Sequence, residues 1–255
     1  MKTLKLISWN VNGLRAIEKK GFKEWLLKEQ PDILAIQETK CQPEQVPETI
    51  KNIPGYHSYF AAAERKGYSG VGLLCRKRPN KIEYGIGIEK FDREGRIIIA
   101  YYDTFMLFNC YFPNGGASEE RLNYKLEFYA AVLDFFNSQK GKKIIICGDV
   151  NTAHQPIDLK RPKENAQISG FLTVEREWIT KLLEHGFIDT FRYFKPEEIK
   201  YSWWSYRYRA RATNAGWRLD YFFADPALKE RLINADILNE VMGSDHCPII
   251  LEIGE

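Results

Sequence analysis

Ile144-Ile145-Ile146-Cys147-Gly148-Asp149-Val150-Asn151-Thr152 is the stretch on which the reading of the fold turns. Its apolar residues follow one another without alternation, which describes a strand covered on both faces. Gly148 lets the backbone pass close to a neighbour. Asp149 and Asn151, two residues apart, point the same way if the chain is extended. The aliphatic strand offers no packing reason for so abrupt an acid, whereas a general base beside an orienting amide needs this arrangement.

The same form recurs along the chain. Strands are predicted over Leu4–Trp9, Ile33–Gln37, Val71–Cys75, Ile97–Tyr102, Met106–Tyr111, Ile144–Cys147, Leu219–Phe223 and Ile249–Ile253. Helices are predicted over Phe22–Glu29, Glu119–Asn137 and Val174–His185, the last with Thr173 as N-cap and Gly186 just past its end. Interleaved strands and helices give an α/β class, and without a linker or repeat the expectation is one domain over 1–255. The long polar segment 151–170 is the kind of loop that usually carries function.

Several predicted strands end in polar islands. Asn10-Val11-Asn12-Gly13 follows the first; alone it reads as a turn, or as amides that support a metal or phosphate. Glu38 follows the second, and a carboxylate there suits Mg²⁺. Tyr111 and Asn114 end the fifth, placed to bond a phosphate. Asp220 interrupts Gly216-Trp217-Arg218-Leu219-Asp220-Tyr221-Phe222-Phe223 and needs a partner; His246, in Gly243-Ser244-Asp245-His246-Cys247-Pro248, is the natural one. Acids and amides on one rim make an oxygen-rich cup fit for a divalent cation and a phosphate. His57, His154 and His185 read as surface or hydrogen-bonded residues, and Asp158 as a brace of its loop.

Bulk composition narrows the classes. The 255 residues include 37 basic and 34 acidic side chains, a net charge of +3, so any nucleic-acid footprint must come from clustering. Arg76-Lys77-Arg78 and Lys140–Lys143 read as solvated surface. Tyr201 to Arg211 instead interleaves aromatics with arginines, as phosphate contact plus base stacking requires. Five cysteines without a C-x-x-C pair argue against a zinc cluster and for a reducing compartment. Neither a leader nor a membrane helix is predicted, so the expected location is cytoplasmic, with monomer as the default.

Taken in order, S-W-N-V-N-G-L-R-A, Q-E-T-K, Y-F-P-N, G-D-x-N-T-A-H, G-W-R-L-D-Y-F and G-S-D-H-C-P resemble the exonuclease III family of apurinic/apyrimidinic endonucleases, within the endonuclease/exonuclease/phosphatase superfamily. The resemblance covers essentially the whole chain. It implies a four-layered α/β sandwich, two mixed sheets face to face and flanked by helices. It implies Glu38 as principal metal ligand, with Asn10, Asn12 and Asp245 around the ion. Some relatives carry Asp where this chain has Asn12. Asp149 and Asn151 match the pair that positions and activates water, and Asp220 and His246 the Asp–His pair. Tyr111 and Asn114 match phosphate contacts, and Trp203, Trp217 and Leu219 the pocket for an extruded abasic sugar. Arg121 matches a DNA-backbone contact, and Arg207 and Tyr208 fall where relatives insert side chains into the duplex. The implied reaction is hydrolysis of the phosphodiester 5′ to an abasic site in double-stranded DNA, with Mg²⁺ or Mn²⁺. Accompanying 3′→5′ exonuclease, 3′-phosphatase or 3′-phosphodiesterase activity is also implied. Two rivals stand beside it: a superfamily enzyme for inositol phosphates or phospholipid head groups, and a DNA-damage binding module without catalysis.

Overall fold

The computed structural model describes residues 3–139 and 141–255. Met1 and Lys2, and Lys140 of the basic run noted above, lie outside the described residues. Among the described residues there are twelve strands: β1 (Thr3–Asn10), β2 (Ile33–Gln37), β3 (His57–Ala61), β4 (Val71–Cys75), β5 (Lys81–Tyr84), β6 (Ile97–Tyr101), β7 (Met106–Tyr111), β8 (Ile144–Asp149), β9 (Ile188–Asp189), β10 (Asp220–Ala224), β11 (Leu232–Ile237) and β12 (Ile249–Gly254). The helices are α1 (Leu14–Glu18), α2 (Phe22–Glu29), α3 (Glu48–Lys51), α4 (Glu89–Asp92), α5 (Glu119–Ser138), α6 (Thr173–Glu184) and α7 (Thr190–Phe194).

The strands form two six-stranded sheets, ordered β11-β12-β1-β2-β4-β3 and β5-β6-β7-β8-β10-β9. Both are mixed: β1 runs parallel to β2 and antiparallel to β12, and β8 runs parallel to β7 and antiparallel to β10. Alternation along each strand explains the layers. Leu6 of β1 and Ile145 and Cys147 of β8 enter a core between the sheets. Ile7 and Trp9 of β1 face Phe22 and Leu26 of α2, while Ile144 and Ile146 of β8 share a core with α5 and α6. Covered on both faces, β2, β4, β7, β8 and β10 are buried along their whole length, so the polar residues they carry must find partners inside. The result is the four-layered sandwich that the resemblance implied.

All four strands absent from the sequence reading, β3, β5, β9 and β11, are the sheet edges. Their side chains are partly exposed and their apolar runs broken. Boundaries also shift. β8 continues through Gly148 to Asp149, and β10 begins at Asp220 rather than Leu219. Thr173 is the first residue of α6, not its N-cap. Leu172 holds the cap position without a side-chain bond, and the Glu175 carboxylate takes its N–H instead.

The topology sets up one rim. β1 and β2 end together, Asn10 opposite Gln37; β7 and β8 end together, Tyr111 opposite Asp149. The antiparallel β10 starts where β8 stops, Asp220 opposite Asp149. Two sheets therefore deliver their polar ends to one edge of the sandwich. No helix among the described residues is long and apolar enough to cross a membrane.

Candidate active site

Asp149 lies at the centre of that edge and is 1% exposed. It is reached only because Gly148 adopts φ 135°, with its α-carbon packed on the Cys110 carbonyl of β7. A β-carbon there would lie 1.9 Å from that oxygen, so only glycine carries β8 onward to the acid. Asn151 follows at φ 53°, and its own N–H donates to Asp149 Oδ1 at 2.8 Å. Asn12 and Glu38 also sit at positive φ, 48° and 52°. Left-handed backbone in asparagine and glutamate is strain of the kind that surrounding structure holds in place at functional positions.

The two sheets meet through side chains. Asn10 Nδ2 donates to Glu38 Oε1 at 2.9 Å and to Asp149 Oδ2 at 2.8 Å, so one amide from the first sheet joins the acids of both. Below it, Gln37 Nε2 donates to Ser8 Oγ and to Asn109 Oδ1, tying β1, β2 and β7 inside an otherwise apolar core. On the far side of Asp149, His246 Nε2 lies 3.7 Å from Oδ2, while His246 Nδ1 lies 2.8 Å from Asp220 Oδ2. Burial pushes the Asp149 carboxyl up, the charge of His246 pulls it down and those of Asp220 and Glu38 push it up, leaving it at about 7. Burial disfavours charge on His246, but Asp220 and Asp149 outweigh it and hold the imidazolium up to about 10. The acid and the base of the pair thus have displaced titrations in one water-poor pocket.

Ligand atoms of Glu38, Asp149 and His246 all lie within 4.8 Å of one another. The two carboxylates supply oxygen donors that fit a divalent cation, while His246, protonated beside them, is a hydrogen-bond donor and not a ligand. The rest of the expected metal group is adjacent but already engaged. Asn12 Nδ2 donates to Asp245 Oδ1, and Trp203 Nε1 donates to Asp245 Oδ2. Lys40, the last residue of the Q-E-T-K motif and given no role from sequence, places Nζ 2.7 Å from Glu38 Oε2 and bonds the Asn12 amide oxygen. Its ammonium supplies positive charge at the carboxylate where a cation would bind.

Tyr111 is buried under the flat face of the Arg96 guanidinium, 4.8 Å from the ring centre. Burial and the nearby Glu38 charge raise its phenol far above the usual value, so it stays a donor. Asn114 reaches the centre through Nδ2, 3.1 Å from Asn151 Oδ1. Arg121 bonds Glu94 and the Tyr68 hydroxyl and stacks on Tyr124, on the wall of a cavity of about 600 Å³ that also contains Tyr111, Asn114, Arg65 and Arg93. Trp203, Trp217 and Leu219 gather with Ala153, Leu159 and Phe171 in a small apolar cluster beside His246. Arg207 and Tyr208 stand apart on an exposed turn, Tyr208 94% exposed at φ 58°. Asp158 is buried against Arg218 and Arg192, as a brace. Of the scattered histidines, His154 bonds Thr180 and His185 bonds the Lys181 carbonyl.

Residues 7–246 match the model of the Endonuclease/Exonuclease/phosphatase family. The chain belongs to this family. It is 46% identical over 253 residues to an exodeoxyribonuclease of Bacillus subtilis, covering 98% of this chain and 99% of that one. It is 46% identical over 254 residues to the DNA repair nuclease APEX1 of Danio rerio, covering 97% and 81%. Among solved structures it superposes on an AP endonuclease from Archaeoglobus fulgidus with a TM-score of 0.91 at 30% identity, covering 99% and 100%. A 3′ phosphatase from Neisseria bound to a product DNA hairpin gives 0.90 at 27%, with the same coverage. This family member is therefore an enzyme of phosphoester hydrolysis.

Proposed function

We propose that this protein hydrolyses the DNA phosphodiester 5′ to an abasic site, leaving a 3′-hydroxyl, with all of 1–255 acting as one catalytic domain. The observation that carries the reading is the position of Asp149. Its carboxylate meets Asn10 and, through it, Glu38 on one side, and the His246–Asp220 pair on the other, beside the apolar cluster of Trp203, Trp217 and Leu219. An abasic nucleotide has lost its pairing and stacking, so extruding it costs little, and a small apolar pocket excludes an intact one.

Asp149 takes the proton of the attacking water while Asn151 orients that water for in-line approach. The His246 imidazolium, fixed by Asp220, donates to a phosphoryl oxygen, and the Tyr111 phenol and the Asn114 amide donate to others. Each such donor is worth roughly 100-fold or more in rate. Glu38, with the Asp149 carboxylate in reach and Asn10, Asn12 and Asp245 around it, would hold Mg²⁺ or Mn²⁺, which when bound stabilises charge on the leaving oxygen. Arg65, Arg93 and Arg121 line the cavity next to Tyr111, where they neutralise backbone phosphates of a duplex. The relatives' names, an exodeoxyribonuclease and a 3′ phosphatase, support secondary 3′→5′ exonuclease and 3′-end-cleaning activity.

The test is nicking of a duplex that carries one abasic analogue, with Mg²⁺, with chelator, and with Asp149→Asn. Nicking that chelator abolishes and Asp149→Asn lowers at least about 100-fold supports the reading. Binding without nicking, or hydrolysis of inositol phosphates alone, would overturn it. An Asp149→Asn variant as fast as wild type would remove Asp149 as the base.

A further inference from the structure

A lysine with no solvent exposure, Lys125, sits in the middle of α5, among Phe128, Tyr129 and Val132 of the same helix. Its three N–H groups are all used: Nζ donates to the Asn151 carbonyl at 2.8 Å, to Thr152 Oγ1 at 2.8 Å and to Glu175 Oε1 at 2.7 Å. Glu175, from the first turn of α6, is also fully buried. It accepts from Ser169 Oγ at 2.8 Å and from the N–H of Gly170 at 2.6 Å and of Leu172 at 3.1 Å. The cation therefore holds the beginning of the long loop and the anion holds its end. Between them Ala153 N–H donates to the Gly170 carbonyl at 2.8 Å, which closes the loop on itself.

Both loop ends bear on the reaction. The beginning is Asn151, left-handed in backbone, whose carbonyl accepts from Lys125 while its side-chain amide donates to the Phe112 carbonyl. The loop itself supplies Ala153 and Leu159, and its far end Phe171, to one wall of the apolar cluster, with Leu159 bridged to Trp217. At Gly170 the two functions touch, since a β-carbon there would lie 3.3 Å from the Trp217 ring and 3.4 Å from the Asn151 carbonyl. A buried ion pair adds little stability over apolar residues of the same volume, so its presence on an otherwise apolar helix face calls for a positional reason.

We infer that Lys125 and Glu175 are positioning residues for selectivity. The pair sets the wall of the abasic pocket and the backbone of Asn151 as one unit, so that the pocket keeps its narrow size when substrate enters. This rests on the reading of the apolar cluster as an abasic pocket. Releasing the Glu175 end lets Gly170 and Phe171 retreat from Trp217, which widens the pocket and weakens its rejection of an intact nucleotide.

The experiment compares two reactions of each variant: incision at a tetrahydrofuran abasic analogue in a duplex, and removal of an intact nucleotide from a recessed 3′ end. Glu175→Gln, and the double variant Lys125→Met with Glu175→Gln that leaves no charge unpaired, should lower the abasic-to-intact ratio of kcat/KM about tenfold. Lys125→Arg, which keeps a cation opposite Glu175, should retain most of it. Thermal melting identifies variants that fold. Two outcomes overturn the inference in a wild type that nicks the analogue: an unchanged ratio in folded variants, or both activities falling together with the melting temperature. A wild type that ignores the analogue overturns the pocket reading, and the selectivity role with it.

Discussion

The Nε2 atom of His246 stands 3.7 Å from Asp149 Oδ2, on the side of the ring opposite its bond to Asp220. The separation is too long for a hydrogen bond and short enough for strong attraction in a site where both groups are buried. A raised Asp149 at about 7 and a raised His246 at about 10 leave a wide interval in which the carboxylate and the imidazolium coexist.

Activity should therefore rise with pH as Asp149 ionises, at or below about pH 7 once a cation adds its own pull, and fall as His246 loses its proton toward about 10. The limbs report the coupled pair. Replacing His246 by Asn removes the positive charge that lowers Asp149, so the rising limb of kcat/KM should move to higher pH as the maximum drops. A pH profile of His246→Asn with its rising limb unmoved would separate the two groups.

Asn12 sets the charge beside Glu38, where the proposed cation would bind. Its amide bridges Lys40 and Asp245, so a carboxylate in its place would face Lys40, which can neutralise it, and Asp245, which repels it. The added negative charge should win when a divalent ion is present, since Mg²⁺ favours one or two carboxylates. Asn12→Asp should lower the Mg²⁺ concentration that gives half-maximal nicking by several-fold, and chelation should still abolish it. Unchanged metal dependence would place Asn12 outside the ion's surroundings.

Gly148 is the position where β8 turns into chemistry, and Gly148→Ala tests how tightly. The new methyl would meet the Cys110 carbonyl inside a fully buried strand at a φ that disfavours any side chain. The expected loss is on the order of 3 kcal/mol or more in unfolding free energy, from strain and a displaced ladder. Urea denaturation of the variant reads it directly.

Arg121 is paired with Glu94 and Tyr68, which orients its guanidinium on the cavity wall where a backbone phosphate is proposed to bind. Arg121→Ala should weaken duplex binding about equally across sequences. The slope of log affinity against log salt should fall by about one, as for the loss of one phosphate contact. A slope equal to wild type would confine Arg121 to bracing.

How much of this could be read from the chain alone follows from burial. Strands covered on both faces, such as β2 and β8, announce themselves as unbroken apolar runs, and the polar residues at their ends stand out for that reason. Edge strands such as β11 are half exposed, and their mixed composition looks like loop. Asp149, Asp220 and His246 were visible because each breaks a pattern. Lys40, Lys125 and Glu175 were not, because a lysine beside a carboxylate, or a charge on a helix, is ordinary in sequence, and only the fold reveals that its partners come from elsewhere. Asn10 adds what its residue type does not announce: its amide nitrogen joins the acids of two sheets.

Arg218 illustrates the same point between Trp217 and Leu219 of the apolar cluster. Its guanidinium is 1% exposed and bonds Asp158 at 2.8 and 3.1 Å and Asp189 at 2.7 and 3.1 Å, while lying 4.3 Å over the Tyr221 ring. Burial alone would raise the Asp158 carboxyl, but Arg218 and Arg192 hold it down at about 2. Arg218→Met leaves both acids buried without this partner and should cost about 3–5 kcal/mol at neutral pH. The sign of the pH dependence follows from the depressed carboxyl. Its contribution is complete above the unfolded value of about 4 and is lost as pH falls toward 2. Wild type should therefore lose stability over that interval, and the variant should lose less, because a protonated Asp158 no longer needs a cation. The gap between their urea midpoints should narrow from pH 7 to pH 3, whereas a constant gap would assign the loss to packing of the arginine stem rather than to its charge.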